Sequence, residues 1–430
     1  MLHRILFRIG TNKRNPSFFK ILRKLKETEF VSRQVLDEVK HKNARSYFAF
    51  ISNNSSYWSE FLSKHDFNIG SPDLISEIKK LPISTKNDLI TFNQEMRITG
   101  PFRKIFVAET SGTSGQSLEF PRNEYWDSYN RASQMHFYGW YGVKPWFKSI
   151  YLWGYDLEFR QTVKIKLFDW LLNRVRLFSY TDEEFEQLGR KLDRFKFIEG
   201  YSSMIYGIAK KAGADGRALN NFMMIKGTSE VIHESYQETV KKVFGRKMIS
   251  EYGAAETGII SFECPEGNMH LLEENLVVEI DGDGALLVTN INSQSFPIIR
   301  YRLGDHVELS EDLCACGRNH RLIKEIQGRI GQNIFGFKDK YPSLIIYYIF
   351  KNIAQKHGIL LIYQANQSKK GELTLEIEKQ TEDINRSSLK NISSEVENYF
   401  KDDLLVRVEY VDNLKKGQGK AKYFTSTVQV

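Results

Sequence analysis

Between residues 149 and 253, four short apolar runs alternate with stretches of helical periodicity, and this alternation limits the folds open to the chain. The runs are "SIYLWGY" (149–155), "FKFIEGY" (195–201), "NFMMIKG" (221–227) and "KMISEYG" (247–253), each of a length suited to a buried strand. "SMIYGIAKKAG" and "VIHESYQETVKKVFG" lie between them and read as helices, each ended by Gly. Strands interleaved with helices predict α/β layers.

The flanking regions have a different texture. Residues 1 to about 100 read as mainly helical, with "DEVKHKNARSYFAFISN" an amphipathic helix. "NLVVEIDGDGALLVTNI" reads as two strands around a turn, which makes Asp281 and Asp283 turn residues rather than metal ligands. After Gly328, "SLIIYYIFKNIAQKHG", "LTLEIEK" and "LLVRVEYV" predict one helix and two strands of a small α+β lid. The expected division is therefore a helical region 1–100, a core 101–328 with a β-rich part, and a mobile lid 329–430.

Charge narrows the partners. The net charge is +8, and residues 1–30 hold eight basic side chains against Glu27 and Glu29, so +6 of it lies there. The rest is close to neutral, which argues against a nucleic-acid partner. The basic start is either a solvated leader or a peripheral contact with an anionic membrane surface. Arg4 and Arg8 interrupt what would be a signal-peptide core, and no uncharged run reaches spanning length. Three Cys in 430 residues fit a reducing compartment, and a cytoplasmic location is expected.

"ETSGTSGQS", Glu109 to Ser117, packs two Gly and five Ser or Thr into nine residues. One reading is a polar surface turn. The other is a phosphate cradle, in which Gly admits backbone N–H groups close to an anion and hydroxyls add donors. A Walker loop is excluded, because Gln116 and Ser117 follow Gly115 where Lys and Ser or Thr are required. Four further segments follow in order: "EYGAAETG" (251–258), "RYRLGDHVEL" (300–309), "GRIGQNI" (328–334) and "KKGQGKAKYF" (415–424).

This ordered series resembles the adenylate-forming superfamily of acyl- and aryl-CoA ligases. The "C-x-C-G-R" insert is similar to the phenylacetate–CoA ligase branch, especially its capsule-biosynthesis CapK-type members. The resemblance implies a layered α/β adenylation domain with a β-rich subdomain and a small mobile α+β C-terminal domain. It also implies that a small carboxylic acid reacts with ATP to give an acyl-adenylate, which a thiol such as coenzyme A then takes up. By the same resemblance, Thr110, Ser111, Gly112, Thr113, Ser114 and Gly115 would cradle the β- and γ-phosphates. Glu256 would hold magnesium, which takes hard oxygen ligands. Tyr252 would pack on the adenine, with Glu230 near the same ring, and Glu251 and Gly253 beside it would be cofactor-binding. Asp305 would accept the ribose hydroxyls, Arg329 would sit near ribose and phosphate, and Lys420 would bring a positive charge to the α-phosphate. Tyr201 and Ser202 in "IEGYSSMIYG" are acyl-pocket candidates.

The chain departs from the family pattern at three places. Gln116-Ser117 replaces Lys-Pro, Ala255 replaces Thr, and Gly331-Gln332 replaces the Asp-Asp of the interdomain hinge. Two rival readings are an adenylyltransferase acting on a hydroxyl acceptor such as a deazaflavin, and a non-catalytic nucleotide-binding scaffold of a surface-polysaccharide system. The three cysteines flank one region: Cys264 in "ECPEGNMH" and Cys314 with Cys316 in "LCACGRNH". With His270 they fit a closed tetrahedral zinc site, His320 being the rival fourth ligand. Three independent reduced cysteines are the other reading.

Overall fold

The computed structural model describes residues 1–110, 118–152, 159–177, 182–214, 216, 218–228, 232, 234–329, 333–414 and 424–428. The chain forms two compact units. The first comprises Met1–Lys148, Leu167–Arg174 and Ile249–Ile326; the second comprises Ser149–Lys166, Val175–Met248 and Gln327–Val430.

In the first unit, the expected amphipathic helix is Arg33–Asn54, capped by Ser32, whose hydroxyl accepts from the Val35 N–H. It buries Leu36, Lys40, Ala44, Tyr47, Phe48 and Ile51, a stripe at helical spacing. Ala44, Tyr47, Phe48 and Ile51 of that stripe join one apolar core with Trp58, Leu74, Ile78, Phe120, Trp126, Phe296 and Tyr301. The sheet runs in the order Leu276–Ile280, Ala285–Asn290, Ile298–Ser310, Leu322–Arg329, Met269–Leu271, Gly258–Glu263, Ile249–Ala254. "DGDG" is a hairpin turn: Asp281 accepts from the backbone N–H groups of Asp283 and Ala285, and Arg302 pairs with both Asp281 and Asp283.

Glu273 fastens the helix Arg33–Asn54 to the segment that follows the strand Met269–Leu271. Its carboxylate, 1% exposed, receives Arg33, Arg321 at 2.8 Å and Lys40 at 3.6 Å, together with the Arg321 backbone N–H. Burial alone would raise this carboxyl; the three cations outweigh it and hold it well below the usual carboxylate range. Glu273→Ala should cost about 3–5 kcal/mol in urea unfolding, because three partly buried cations lose their anion. The same depressed carboxyl gives a sign to the acid limb. Its contribution is complete above the ordinary value of 4.5 and is lost as pH falls below it, so the variant's unfolding free energy should fall less steeply with acid than the parent's.

In the second unit, Ser149–Leu152, Phe197–Tyr201 and Met224–Thr228 pair in parallel. The helices Ser202–Ala214 and Glu234–Phe244 follow the second and third of these strands. The second helix stops one residue before Gly245, whereas the first continues one residue past Gly213. "KMISEYG" supplies the strand Ile249–Ala254 of the first unit. The C-terminal segment has its own four-stranded sheet, ordered Leu405–Val411, Glu372–Glu378, Tyr363–Lys369, Phe424–Ser426. Its helices Leu344–His357 and Glu382–Phe400 contribute Ile346, Ile349, Ile353, Ile392 and Phe400 to a core shared with Leu373, Leu375 and Ile377.

Candidate nucleotide site

The hydroxyl-rich loop hangs from a two-stranded hairpin, Ile105–Glu109 with Glu119–Asn123, in the register Glu109 opposite Glu119. The next residue on each side closes the base. Thr110 N–H donates to the Leu118 carbonyl at 3.0 Å, and Leu118 N–H donates to Thr110 Oγ1 at 2.9 Å. Thr110 Oγ1 therefore uses one of its two lone pairs on the hairpin and keeps its hydroxyl proton for donation. Ser111, Gly112, Thr113, Ser114 and Gly115 lie outside the described residues.

The same hairpin sends Arg122 toward the second motif. Arg122 Nη2 donates to the Ala255 carbonyl at 2.6 Å, and its guanidinium lies 5.2 Å from the Trp126 ring centroid. Burial lowers its pKa, opposed by Asp127 3.8 Å away and by Glu256. This buried cation beside Glu256 carries no motif, and the sequence reading missed it.

"EYGAAETG" forms a tight hairpin between Ile249–Ala254 and Gly258–Glu263. The register places Tyr252 opposite Ser261 and then shifts, placing Gly253 opposite Ile259. A Cβ on Gly253 would lie 2.4 Å from the Gly258 carbonyl oxygen, so glycine is required by the backbone itself. Glu251 sits opposite Phe262 on the same pair of strands.

Two hydroxyl–carboxylate bonds tie this hairpin to the long strand Ile298–Ser310. Tyr301 Oη donates to Glu256 Oε1 at 3.1 Å, and Tyr252 Oη donates to Asp305 Oδ2 at 2.6 Å. Asp305 is placed by a bulge. Arg302 opposes Leu287 and His306 opposes Ala285, so three residues of the long strand face a single residue of its neighbour. Gly304 within the bulge has φ +82°, a left-handed conformation that glycine takes without strain. The carboxylates expected at magnesium and at ribose thus sit in one hydrogen-bonded frame, and the aromatic expected at adenine bonds the ribose candidate directly. Glu256 is 6% exposed and offers hard oxygen donors suited to magnesium.

In the second unit, Tyr201 ends its strand and Ser202 opens the following helix. Ser202 is fully buried with no partner for its Oγ among the described residues, and a Cβ on Gly227 would come within 2.5 Å of that oxygen. Glu230, Lys420, Gly331 and Gln332 lie outside the described residues, as does the side chain of Arg329.

The three cysteines converge. Cys264 Sγ lies 3.6 Å from Cys314 Sγ, and Cys316 Sγ lies 3.3 Å from His270 Nε2. All four ligand atoms fall within 4.8 Å of one another. His320 turns away to Glu274, 3.1 Å from its Nε2.

Comparison with known proteins follows the same line. No family model matches the chain. Protein CapK of Staphylococcus aureus is 24% identical over 365 residues, covering 76% of this chain and 81% of its own length. Phenylacetate-coenzyme A ligase of Thermus thermophilus is 30% identical over 111 residues, which cover 22% of this chain and 25% of that enzyme. Among solved structures, 2-hydroxyisobutyryl-CoA ligase in the postadenylation state, in complex with R3-HIB-AMP, superposes with a TM-score of 0.70 at 15% identity, covering 93% of this chain and 91% of the other.

Proposed function

We propose that this chain, which belongs to the adenylate-forming superfamily, activates a small carboxylic acid with ATP and passes the acyl group to a thiol. The observation that supports this most is the paired frame Tyr252–Asp305 and Tyr301–Glu256, which ties the ribose candidate on the strand Ile298–Ser310 to the magnesium candidate in the turn between Ile249–Ala254 and Gly258–Glu263. In the first step the substrate carboxylate oxygen bonds to the α-phosphorus. The bond from that phosphorus to its bridging oxygen breaks, and pyrophosphate leaves with the electron pair. In the second step the thiol sulfur bonds to the acyl carbon, its proton is lost to solvent, and AMP leaves.

Such chemistry gathers anions, so positioning and charge stabilisation dominate the rate. When bound, magnesium offsets the phosphate charge, and Glu256 would hold it. Asp305 orients the ribose, with its own orientation set by Tyr252. Thr110 donates at the base of the phosphate loop, Arg122 adds fixed positive charge near Glu256, and Lys420 would bring a positive charge to the α-phosphate. Coenzyme A is the proposed thiol, the cytoplasm the proposed location, and surface-polysaccharide biosynthesis the proposed setting, by likeness to protein CapK.

ATP–pyrophosphate exchange over a panel of aryl and aliphatic acids tests the reading. Acid-dependent exchange followed by thiol-dependent AMP release supports it. AMP left bonded to a hydroxyl acceptor would turn the assignment to an adenylyltransferase, and ATP binding without turnover would turn it to a scaffold.

A membrane contact belongs to the same proposal. Among the described residues no helix is long and apolar enough to cross a bilayer. The first helix, Leu2–Arg14, buries none of its residues and exposes Leu2, Ile5 and Ile9, while Trp170 beside His3 is also exposed. Arg4, Arg8 and Lys13 on that helix match an anionic lipid surface. Ile5→Glu/Ile9→Glu should weaken sedimentation with phosphatidylserine vesicles by about two to four orders of magnitude, given roughly 1.5–3 kcal/mol per buried Ile. Equal sedimentation of parent and variant would refute the contact.

A further inference from the structure

We propose that Cys264, His270, Cys314 and Cys316 form a closed tetrahedral zinc site that locks the strand after the Glu256 turn to the segment following the Asp305 strand.

The distances fit the ion. With Zn–S near 2.3 Å and Zn–N near 2.0–2.1 Å, the edges of a tetrahedron are about 3.8 Å for S···S and about 3.6 Å for S···N. The observed edges are 3.6 Å between Cys264 and Cys314 and 3.3 Å between Cys316 and His270. Three thiol sulfurs and one imidazole nitrogen are a soft donor set that selects zinc over magnesium or calcium. Four protein ligands leave no open position, and Cys264 and His270 are buried, which makes the site structural rather than catalytic.

The backbone is built for sulfur ligation on both sides. Cys264 to Gly267 form one turn, closed by the Gly267 N–H donating to the Cys264 carbonyl at 2.8 Å. Cys314 to Gly317 form a second, closed in the same way at 3.0 Å. The second turn presents its first sulfur to nearby donors: Asn268 Nδ2 lies 3.2 Å from Cys314 Sγ, and the Cys316 N–H approaches the same sulfur at 3.5 Å. The close C-x-C spacing works because Cys314 and Cys316 face different partners across the cluster: Cys314 faces Cys264, and Cys316 faces His270. Trp140 covers the group, its ring centroid 5.8 Å from that of His270.

Polar ties fix the end of the segment 311–321: Arg318 pairs with Glu29, Asn319 Nδ2 donates to the Val31 carbonyl, and His320 and Arg321 meet Glu274 and Glu273. Among the described residues the apolar cluster around the cysteines is small, comprising Cys264, Cys314 and Leu322 with Trp140 and Cys316 packed against them. An ion with four ligands would add the stabilisation that so small a cluster does not supply.

The test is metal analysis of the full-length chain purified without a metal-affinity tag or chelator. About one zinc per chain is expected, and replacement by cobalt should give the strong absorption of a tetrahedral thiolate site. Cys314→Ser/Cys316→Ser and His270→Ala should lose the metal; His270→Cys, which restores a fourth soft ligand, should retain it, and so should His320→Ala. If the serine variants fail to fold, thiol counting on the parent decides. Three thiols protected until a chelator releases one zinc support the site. Metal-free protein of full thermal stability, thiols that react without chelator, or a Cys264–Cys314 disulfide overturns it. ATP–pyrophosphate exchange is not needed for any of these readouts, so the site and the proposed activity can fail separately.

Discussion

Glu256→Gln should lower acid-dependent ATP–pyrophosphate exchange by about a hundred- to a thousandfold, the scale set by removing one preorganised group facing charge that builds in the transition state. The side chain keeps its shape and can still accept from Tyr301, so the fold should survive and thermal unfolding should barely move. What the substitution removes is the anionic oxygen offered to magnesium. Raising magnesium should therefore restore part of the lost rate, which a purely structural role would not allow. Tyr301→Phe is the companion. It leaves the carboxylate but frees its orientation, and loss of one hydrogen bond of about 1.5 kcal/mol to a charged group predicts roughly a tenfold drop. Exchange in Glu256→Gln within a few-fold of the parent would remove Glu256 from the site.

Lys420→Ala should separate the two half-reactions. Adenylate formation builds charge on the α-phosphate, and loss of a well-placed cation there should cost at least about a hundredfold. Thioester formation from a supplied acyl-adenylate lacks that charge build-up and should change little. Equal loss in both steps would sink the selective role. Lys415, Lys416 and Lys422 are neighbours in sequence, so Lys422→Ala is the control. A drop only in the Lys420/Lys422 double variant would mean that either lysine serves.

The parts of the fold that were readable in advance are those where burial follows one period. The helix Arg33–Asn54 shows its buried stripe directly, and the apolar runs at 195–201 and 221–227 contain the parallel strands Phe197–Tyr201 and Met224–Thr228. The strand Tyr363–Lys369 was not readable, because "YQANQSK" is polar by composition. It buries Tyr363, Ala365 and Gln367 on one face, and Gln367 meets its polar needs on the backbone of Phe335. The helix Glu382–Phe400 was missed too. Its buried Ile392, Val396 and Phe400 are separated by charged and hydroxyl residues that dilute the pattern.

At the candidate site, the ordered motifs pointed to Glu256 and Asp305, but not to what orients them. Tyr301 and Arg122 contact the "EYGAAETG" turn from far along the chain, and neither has a local signature. Glu273 was invisible for the same reason: its partner Arg33 lies 240 residues away in sequence. The cysteine cluster was more legible, because three cysteines in a chain of this length leave few combinations.

Gly253 bears on how variation in this chain should be read. Its missing side chain is demanded by the Gly258 carbonyl across the hairpin, before any nucleotide arrives. A saturation library at position 253 should therefore be depleted in every substitution even when selection is for abundance alone. Intolerance at that codon is a record of two backbones in contact. Neighbouring Tyr252 and Glu256 face no such bar, so a library that tolerates changes there for abundance but not for turnover would separate the chemistry from its scaffold within a stretch of five residues.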